Sequence, residues 1–396
     1  MRGKRRFRVV IAMDSMKGSL SSLEAGRAAA EGIRLARPDA ELVVRPLADG
    51  GEGTAEALTR GLGGTFVSVR VHGPLGSPVT ARYGILPDGT AVMEMAEASG
   101  LTLVPGEQLD PWRASSYGTG EMIQDAAERG CRNFIIGIGG SATTDGGSGM
   151  LAALGYEFLN RDGRKIAPGI GELDQIAQIR REKRLPELEQ CRFRIACDVA
   201  NPLLGRQGAV WIYGPQKGVK EAEKPILDAK MRHFAEKTRE YTGTDYRNQP
   251  GAGAAGGLGF AFLSYLPHTE LRPGVDLVLE TTGLEKEVAK ADVLVTGEGR
   301  LDGQTVMGKA PAGAARLAKK YGKRVIAFAG QLAEDAGVCN QAGIDAFFSI
   351  LPGIMSLEAA VNPKRAAENL TRTAEQVFRL LRQENTGTTD RTQEEE

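Results

Sequence analysis

Apolar runs alternate with amphipathic stretches at both ends of this chain. Val9-Val10-Ile11-Ala12-Met13 predicts a buried strand. Ser21-Ser22-Leu23-Glu24 has capping-box spacing, so an alanine-rich helix starts there and stops before Pro38. Leu42-Val43-Val44 predicts a second strand, and a helix follows Gly53. The alternation returns late, with strands over 292–296, 325–329 and 346–350. Helices are expected from near Pro311 to Gly322, near 333–343 and over 364–383. Five strands alternating with helices predict a doubly wound parallel sheet of an α/β protein.

The middle has a different texture. Thr65-Phe66-Val67-Ser68-Val69-Arg70-Val71, Ala81-Arg82-Tyr83-Gly84-Ile85-Leu86 and Ala91-Val92-Met93-Glu94-Met95 partly alternate, and Pro87-Asp88-Gly89 supplies a turn. That pattern predicts antiparallel hairpins. The expected organisation is a first domain from 1–65 and 285–383, with a second α/β domain, 66–284, inserted into it and a cleft between them. Residues 384–396 are polar, lack apolar periodicity and are expected to form a disordered tail.

Composition narrows the function classes. Fifty basic residues balance fifty acidic ones, so no net field draws the chain to nucleic acid or an anionic membrane. No apolar stretch is long enough to span a bilayer, and the four cysteines lack metal-ligand spacing or a disulfide framework. These features predict free thiols and a cytoplasmic location, and they leave a homo-oligomer open. Fifty-two of the 396 residues are glycine, well above the usual share of roughly 7%. Only His72, His233 and His268 could supply imidazole, and they are scattered. What remains is carboxylate, hydroxyl, lysine, arginine and backbone amide, a set suited to phosphoryl transfer.

Those groups gather where predicted strands end, the usual place for ligands in α/β proteins. Asp14, Ser15, Lys17 and Ser19 follow the first strand, where an ordinary turn needs neither a lysine nor two hydroxyls. Asp49 and Glu52 follow the second, where capping of the next helix is an equal explanation. Gly139-Gly140-Ser141-Ala142-Thr143-Thr144-Asp145 suits wrapping of phosphate or ribose. Asp198 ends another apolar run and is a base or a turn cap. Glu298, Arg300, Asp302 and Gln304 form the densest polar cluster, with a structural ion pair as the competing account. Two formal matches fail on context. Gly303–Lys309 has phosphate-loop spacing, but Ala310 replaces the hydroxyl that should hold magnesium. Gly251-Ala252-Gly253-Ala254-Ala255-Gly256 matches a dinucleotide fingerprint, yet a turn-like Tyr246–Pro250 precedes it instead of a strand. For that segment, contact with an anion and close helix packing both stay open.

Five segments together carry a resemblance. Asp14–Ser19, Ala48–Thr54, Gly139–Gly147, Gly214-Pro215-Gln216-Lys217-Gly218 and Thr296–Thr305 resemble, in this order, the signature segments of the bacterial type-I glycerate kinase family (glycerate 2-kinases). The resemblance covers roughly residues 8 to 383. Met13 and Met16 are mild departures from it, and the basic N-terminus and acidic tail read as extensions. It implies a flavodoxin-like domain split across the chain ends. It also implies ATP-dependent, magnesium-assisted phosphorylation of D-glycerate, giving 2-phosphoglycerate.

For that chemistry we expect Lys17 and Arg300 at anionic groups, Asp198 as the base and Asp49 as the next candidate. Asp14, Ser15, Glu52 and Gln304 join them around the substrate. Glu298 and Asp302 are expected beside magnesium, which favours carboxylate and water oxygens. Nucleotide phosphates are expected at Gly139, Gly140, Ser141, Thr143, Thr144 and Asp145, and at Gly251, Gly253 and Gly256. The other readings are a nicotinamide-dependent dehydrogenase of a small hydroxy acid and a non-catalytic metabolite-binding protein.

Overall fold

The computed structural model describes residues 5–383, so the tail expected at 384–396 lies outside the described residues. The chain divides into two compact units, one joining Met1–Asp49 to Val278–Glu396 and the other formed by Gly50–Leu277.

The first unit is built on a five-stranded sheet. Its strands, in spatial order, are Ala346–Ser349, Arg324–Leu332, Val293–Leu301, Arg8–Met13 and Glu41–Val44. Every neighbouring pair is parallel. Numbered along the chain the order is 2-1-3-4-5, the flavodoxin-like doubly wound arrangement. Val9 to Met13 are fully buried because helices cover both faces of a parallel sheet, which explains the unbroken apolar run. Val9, Ile11, Val293, Val295 and Phe328 share a core with helices Ser22–Ala36 and Pro363–Gln383. Those helices approach closely at Gly32, where a Cβ would lie 2.0 Å from the Thr371 carbonyl oxygen. Ser21 caps its helix in the expected box, accepting from Glu24 N while Glu24 accepts from Ser21 N at 2.9 Å.

Two expectations here change. The strand expected to stop at residue 296 continues to Leu301, because Arg324–Leu332 extends beside it and pairs with Arg300 and Leu301. Gly297 permits this close pairing, since a Cβ there would lie 1.9 Å from the Phe328 carbonyl oxygen. The helix expected near 333–343 shortens to the single turn Val338–Gln341, because residues 334–337 after the strand are turns.

The second unit holds a six-stranded mixed sheet in the order Thr269–Arg272, Arg192–Ala196, Asn133–Gly137, Thr90–Glu94, Pro78–Ile85, Thr65–His72. The first four run parallel and the last two complete antiparallel hairpins, with Asp88 and Gly89 turning the chain between the Pro78–Ile85 and Thr90–Glu94 strands. Phe134 and Phe193 stack across it at 5.0 Å. The boundary falls earlier than residue 65 because helix Thr54–Gly61 packs on the hairpin strands of this unit. Glu94 accepts from Gly53 N at 3.2 Å and from Ala55 N at 2.8 Å, tying the helix start to the same sheet.

Candidate functional site

Within the first unit, polar groups collect at the carboxyl ends of Arg8–Met13 and Val293–Leu301, the two strands flanking the point where strand order reverses. Asp14 N donates to the Gly297 carbonyl at 2.8 Å, fixing the start of its loop beside the neighbouring strand. Ser15 N donates back to Asp14 Oδ1 at 2.6 Å. The loop closes on itself through Met16 and Leu20, with Gly18 at φ 76°, and leaves Lys17 exposed. Ser19 Oγ is buried without a hydrogen-bond partner among the described residues. Burial, together with repulsion from Asp49 and Glu298, pushes the Asp14 carboxyl up to about 7, against Ser15 N–H and Lys17.

Across from this loop, Glu298 is buried and accepts from Thr305 Oγ1 at 2.7 Å. Burial raises its carboxyl above the usual range. Lys309 Nζ stands 3.5 Å from Glu298 and 3.6 Å from Asp302, and Arg300 Nε lies 3.3 Å from Asp302. Asp302 also accepts from Gln304 N at 3.0 Å, which folds the turn leading into helix Ala310–Lys320. The formal phosphate-loop match therefore becomes a 3-10 turn, Thr305–Met307, whose following lysine neutralises carboxylates. The side chains of Arg300 and Gln304 are exposed. Among the described residues no three His, Cys, Asp or Glu side chains are arranged to hold a metal unaided. Crowded carboxylate oxygens, one of them pushed toward neutrality, nevertheless fit magnesium, which uses few protein ligands and fills its shell with water and phosphate.

Within the second unit, a cavity of about 210 Å³ opens beyond the parallel strands. Gly50, Gly51, Gly139, Gly140, Ser141 and Asp198 are in its lining, so it collects part of the expected nucleotide loop and the expected base. Asp198 Oδ1 accepts from Gly274 N at 2.9 Å, at the start of helix Gly274–Thr281, and its residue remains exposed. Glu52 is exposed outside that lining. At the start of the helix beginning at Thr54, Glu94 accepts from Gly53 N and Ala55 N.

The rest of the Gly139–Gly147 loop faces inward. Thr143, Thr144 and Asp145 are fully buried. Asp145 accepts from Ser116 N and Oγ, both at 2.8 Å, from Gly147 N at 3.1 Å and from Gly149 N at 3.2 Å. Its carboxylate thus organises the loop from behind. Gly251, Gly253 and Gly256 sit at close approaches of the chain. A Cβ at Gly253 would lie 2.2 Å from Pro202 O, and one at Gly256 would lie 2.1 Å from Thr143 O. At Gly251 it would meet Leu271 at 2.7 Å. This geometry favours the close-packing account of these glycines, and the adjoining Ala254 and Ala255 line the cavity.

Residues 9–382 match the model of the glycerate kinase family. The chain belongs to that family. It is 46% identical to the glycerate kinase of Bacillus subtilis (strain 168), over 94% of this chain and 97% of that protein. It is also 46% identical to the glycerate 2-kinase of Escherichia coli (strain K12), over 95% of this chain and 98% of that one. A crystal structure from Salmonella typhimurium LT2, provisionally named a glycerate kinase 2, aligns with a TM-score of 0.89. That alignment is at 42% identity and covers 96% of this chain and all of the other.

Two residues in this glycerate kinase family member had no assigned role in the sequence. Lys217 is fully buried in the cavity wall, and Lys309 lies between the two expected metal neighbours. Lys217 stands in a glycine-bounded turn, and Lys309, which caps helix Ala310–Lys320, entered the sequence reading only as the lysine of the formal phosphate-loop match. No helix among the described residues is long and apolar enough to cross a membrane.

Proposed function

We propose that this chain transfers the γ-phosphoryl group of ATP in line to the 2-hydroxyl of D-glycerate, giving 2-phosphoglycerate. The observation that carries the reading is 46% identity, along nearly the whole chain, to a relative named glycerate 2-kinase. The site chemistry agrees: carboxylates, amines, hydroxyls and backbone amides are available, and positioning with charge stabilisation is what phosphoryl transfer demands. Asp198 receives the hydroxyl proton, its orientation held by Gly274 N–H, and Asp49 is the second candidate. Lys17 and Arg300, both exposed, engage anionic groups, and Asp14, Ser15, Glu52 and Gln304 complete the substrate surroundings. Gly139, Gly140 and Ser141 address nucleotide phosphate, while Asp145 holds their loop in shape.

Glu298 and Asp302 would hold magnesium, which when bound supplies charge neutralisation on the transferring phosphates. A cytoplasmic location belongs to the same proposal. Incubation with D-glycerate and magnesium-ATP, followed by phosphorus NMR, tests both activity and regiochemistry. Appearance of the 2-phosphate ester supports the reading. A 3-phosphate ester overturns the regiochemistry, and absence of any ester overturns the activity.

A further inference from the structure

Lys217 is unusual in being a charged side chain that is only 1% exposed. It ends the 3-10 turn Pro215–Lys217, and Gly218 at φ 96° reverses the chain behind it. Its Nζ donates to Thr143 O at 2.5 Å and to Ser141 Oγ at 2.8 Å. A hydroxyl that accepts a hydrogen bond from an ammonium must direct its own proton elsewhere. Among the described residues Lys217 is the side-chain partner of Ser141, and both residues line the cavity that also holds Gly139, Gly140 and Asp198. We infer that Lys217 is a positioning residue that turns the Ser141 hydroxyl into a donor for an oxyanion, phosphate or carboxylate, bound in this cavity. This inference rests on the kinase reading of the same site.

The charge state of the lysine decides the direction of that hydroxyl. As an ammonium it can only donate, so the Ser141 proton is left for the ligand. As a neutral amine it can accept that proton and draw the hydroxyl back into the protein. Burial pushes Lys217 down to about 7, against the attraction of Asp145, the charged group behind the loop. Asp198, Cys197 and Tyr213 are the other ionisable groups on the cavity wall. Burial moves the Cys197 thiol and the Tyr213 phenol upward, away from neutrality.

The test is equilibrium binding of ATP and of D-glycerate, each alone, to the full chain and its Ser141→Ala, Lys217→Met and double variants. Each single change should weaken the same ligand by about tenfold, and the double variant should be no worse than the weaker-binding single. Wild-type affinity for that ligand should fall between about pH 6 and about pH 8.5, and the profile should flatten in both single variants. Loss in the ATP arm identifies the anion as phosphate, and loss in the glycerate arm identifies it as carboxylate. Unchanged affinity for both ligands in a folded variant, or independent multiplying effects, overturns the inference. If Lys217→Met does not fold, Ser141→Ala decides alone, and a pH profile identical to wild type then overturns it. Wild type that binds both ligands without turnover sinks the kinase reading instead, and wild type that binds neither sinks both.

Discussion

At the scale of single residues, the sharpest distinction is between side chains that hold the fold and side chains that meet a ligand. Asp198 does the first demonstrably, since its Oδ1 accepts from Gly274 N at 2.9 Å. Asp198→Asn preserves that acceptor while removing the ability to take a proton. It is expected to lower kcat by about 10²–10⁴-fold with little change in melting temperature, if the side chain is the base. Steady-state kinetics and calorimetry on one preparation check this, and a lowered melting temperature with normal kcat would return Asp198 to a purely structural role. Lys17 is the opposite case. Its side chain is exposed, so Lys17→Ala should leave folding intact and raise the KM for an anionic substrate about tenfold, the effect of losing one charge-assisted hydrogen bond. Unchanged kinetics in the folded variant would remove Lys17 from the site. Lys17 and Asp198 were singled out in the sequence because each lies in the segment just after an apolar run. Lys217 was not, because its burial depends on a loop more than 70 residues earlier in the chain, reached through Ser141 and Thr143.

At the scale of elements, the Val293–Leu301 strand and the turn after it gather cations and anions that neutralise each other. The apolar Val293-Leu294-Val295 was enough to predict a strand, but its continuation through Gly297 and Gly299 was not readable locally. It depends on pairing with Arg324–Leu332, a distant partner whose length the sequence does not reveal. The same limit applies to the Glu94 cap, supplied to helix Thr54–Gly61 by a residue some 40 positions away. At the strand end, Lys309 shares Glu298 and Asp302 at 3.5 and 3.6 Å, and Arg300 adds a contact to Asp302 at 3.3 Å. If these carboxylates bind magnesium, Asp302→Asn should raise the magnesium concentration needed for half-maximal rate by several-fold. Excess magnesium or manganese should then restore much of the activity. Arg300→Gln should leave the magnesium curve in place and raise the glycerate KM. Superimposed magnesium curves for wild type and Asp302→Asn, with glycerate affinity lost in both variants, would make this element a substrate clamp.

At the scale of the whole molecule, two titrations are displaced to about 7 from opposite directions, one in each compact unit. Asp14 is raised to about 7 by burial and by Asp49 and Glu298, and Lys217 is lowered to about 7 by burial. Between the ordinary aspartate value and about 7, the folded state holds a proton at Asp14 that the unfolded state has released. Stability from this group is therefore full at low pH and is lost as pH rises through about 7. Between about 7 and the ordinary lysine value, the unfolded state holds the extra proton, so stability from Lys217 grows as pH rises and is lost as pH falls through about 7. Each group taken alone is therefore least favourable on one side of neutrality, and the two limbs meet there. Asp14→Asn should be increasingly more stable than wild type as pH climbs from about 4 to about 7, with no further gain above it. Lys217→Met sacrifices two hydrogen bonds, but its stability relative to wild type should decline as pH climbs from about 7 to about 10. Differences in melting temperature between each variant and wild type, followed across this range without ligand, isolate the two groups from the many exposed carboxylates. Parallel curves at all pH values would show that neither group titrates near neutrality in the folded chain. A slope for Asp14→Asn that disappears on adding magnesium would place a cation beside that carboxyl, because nearby positive charge returns it to its ordinary range.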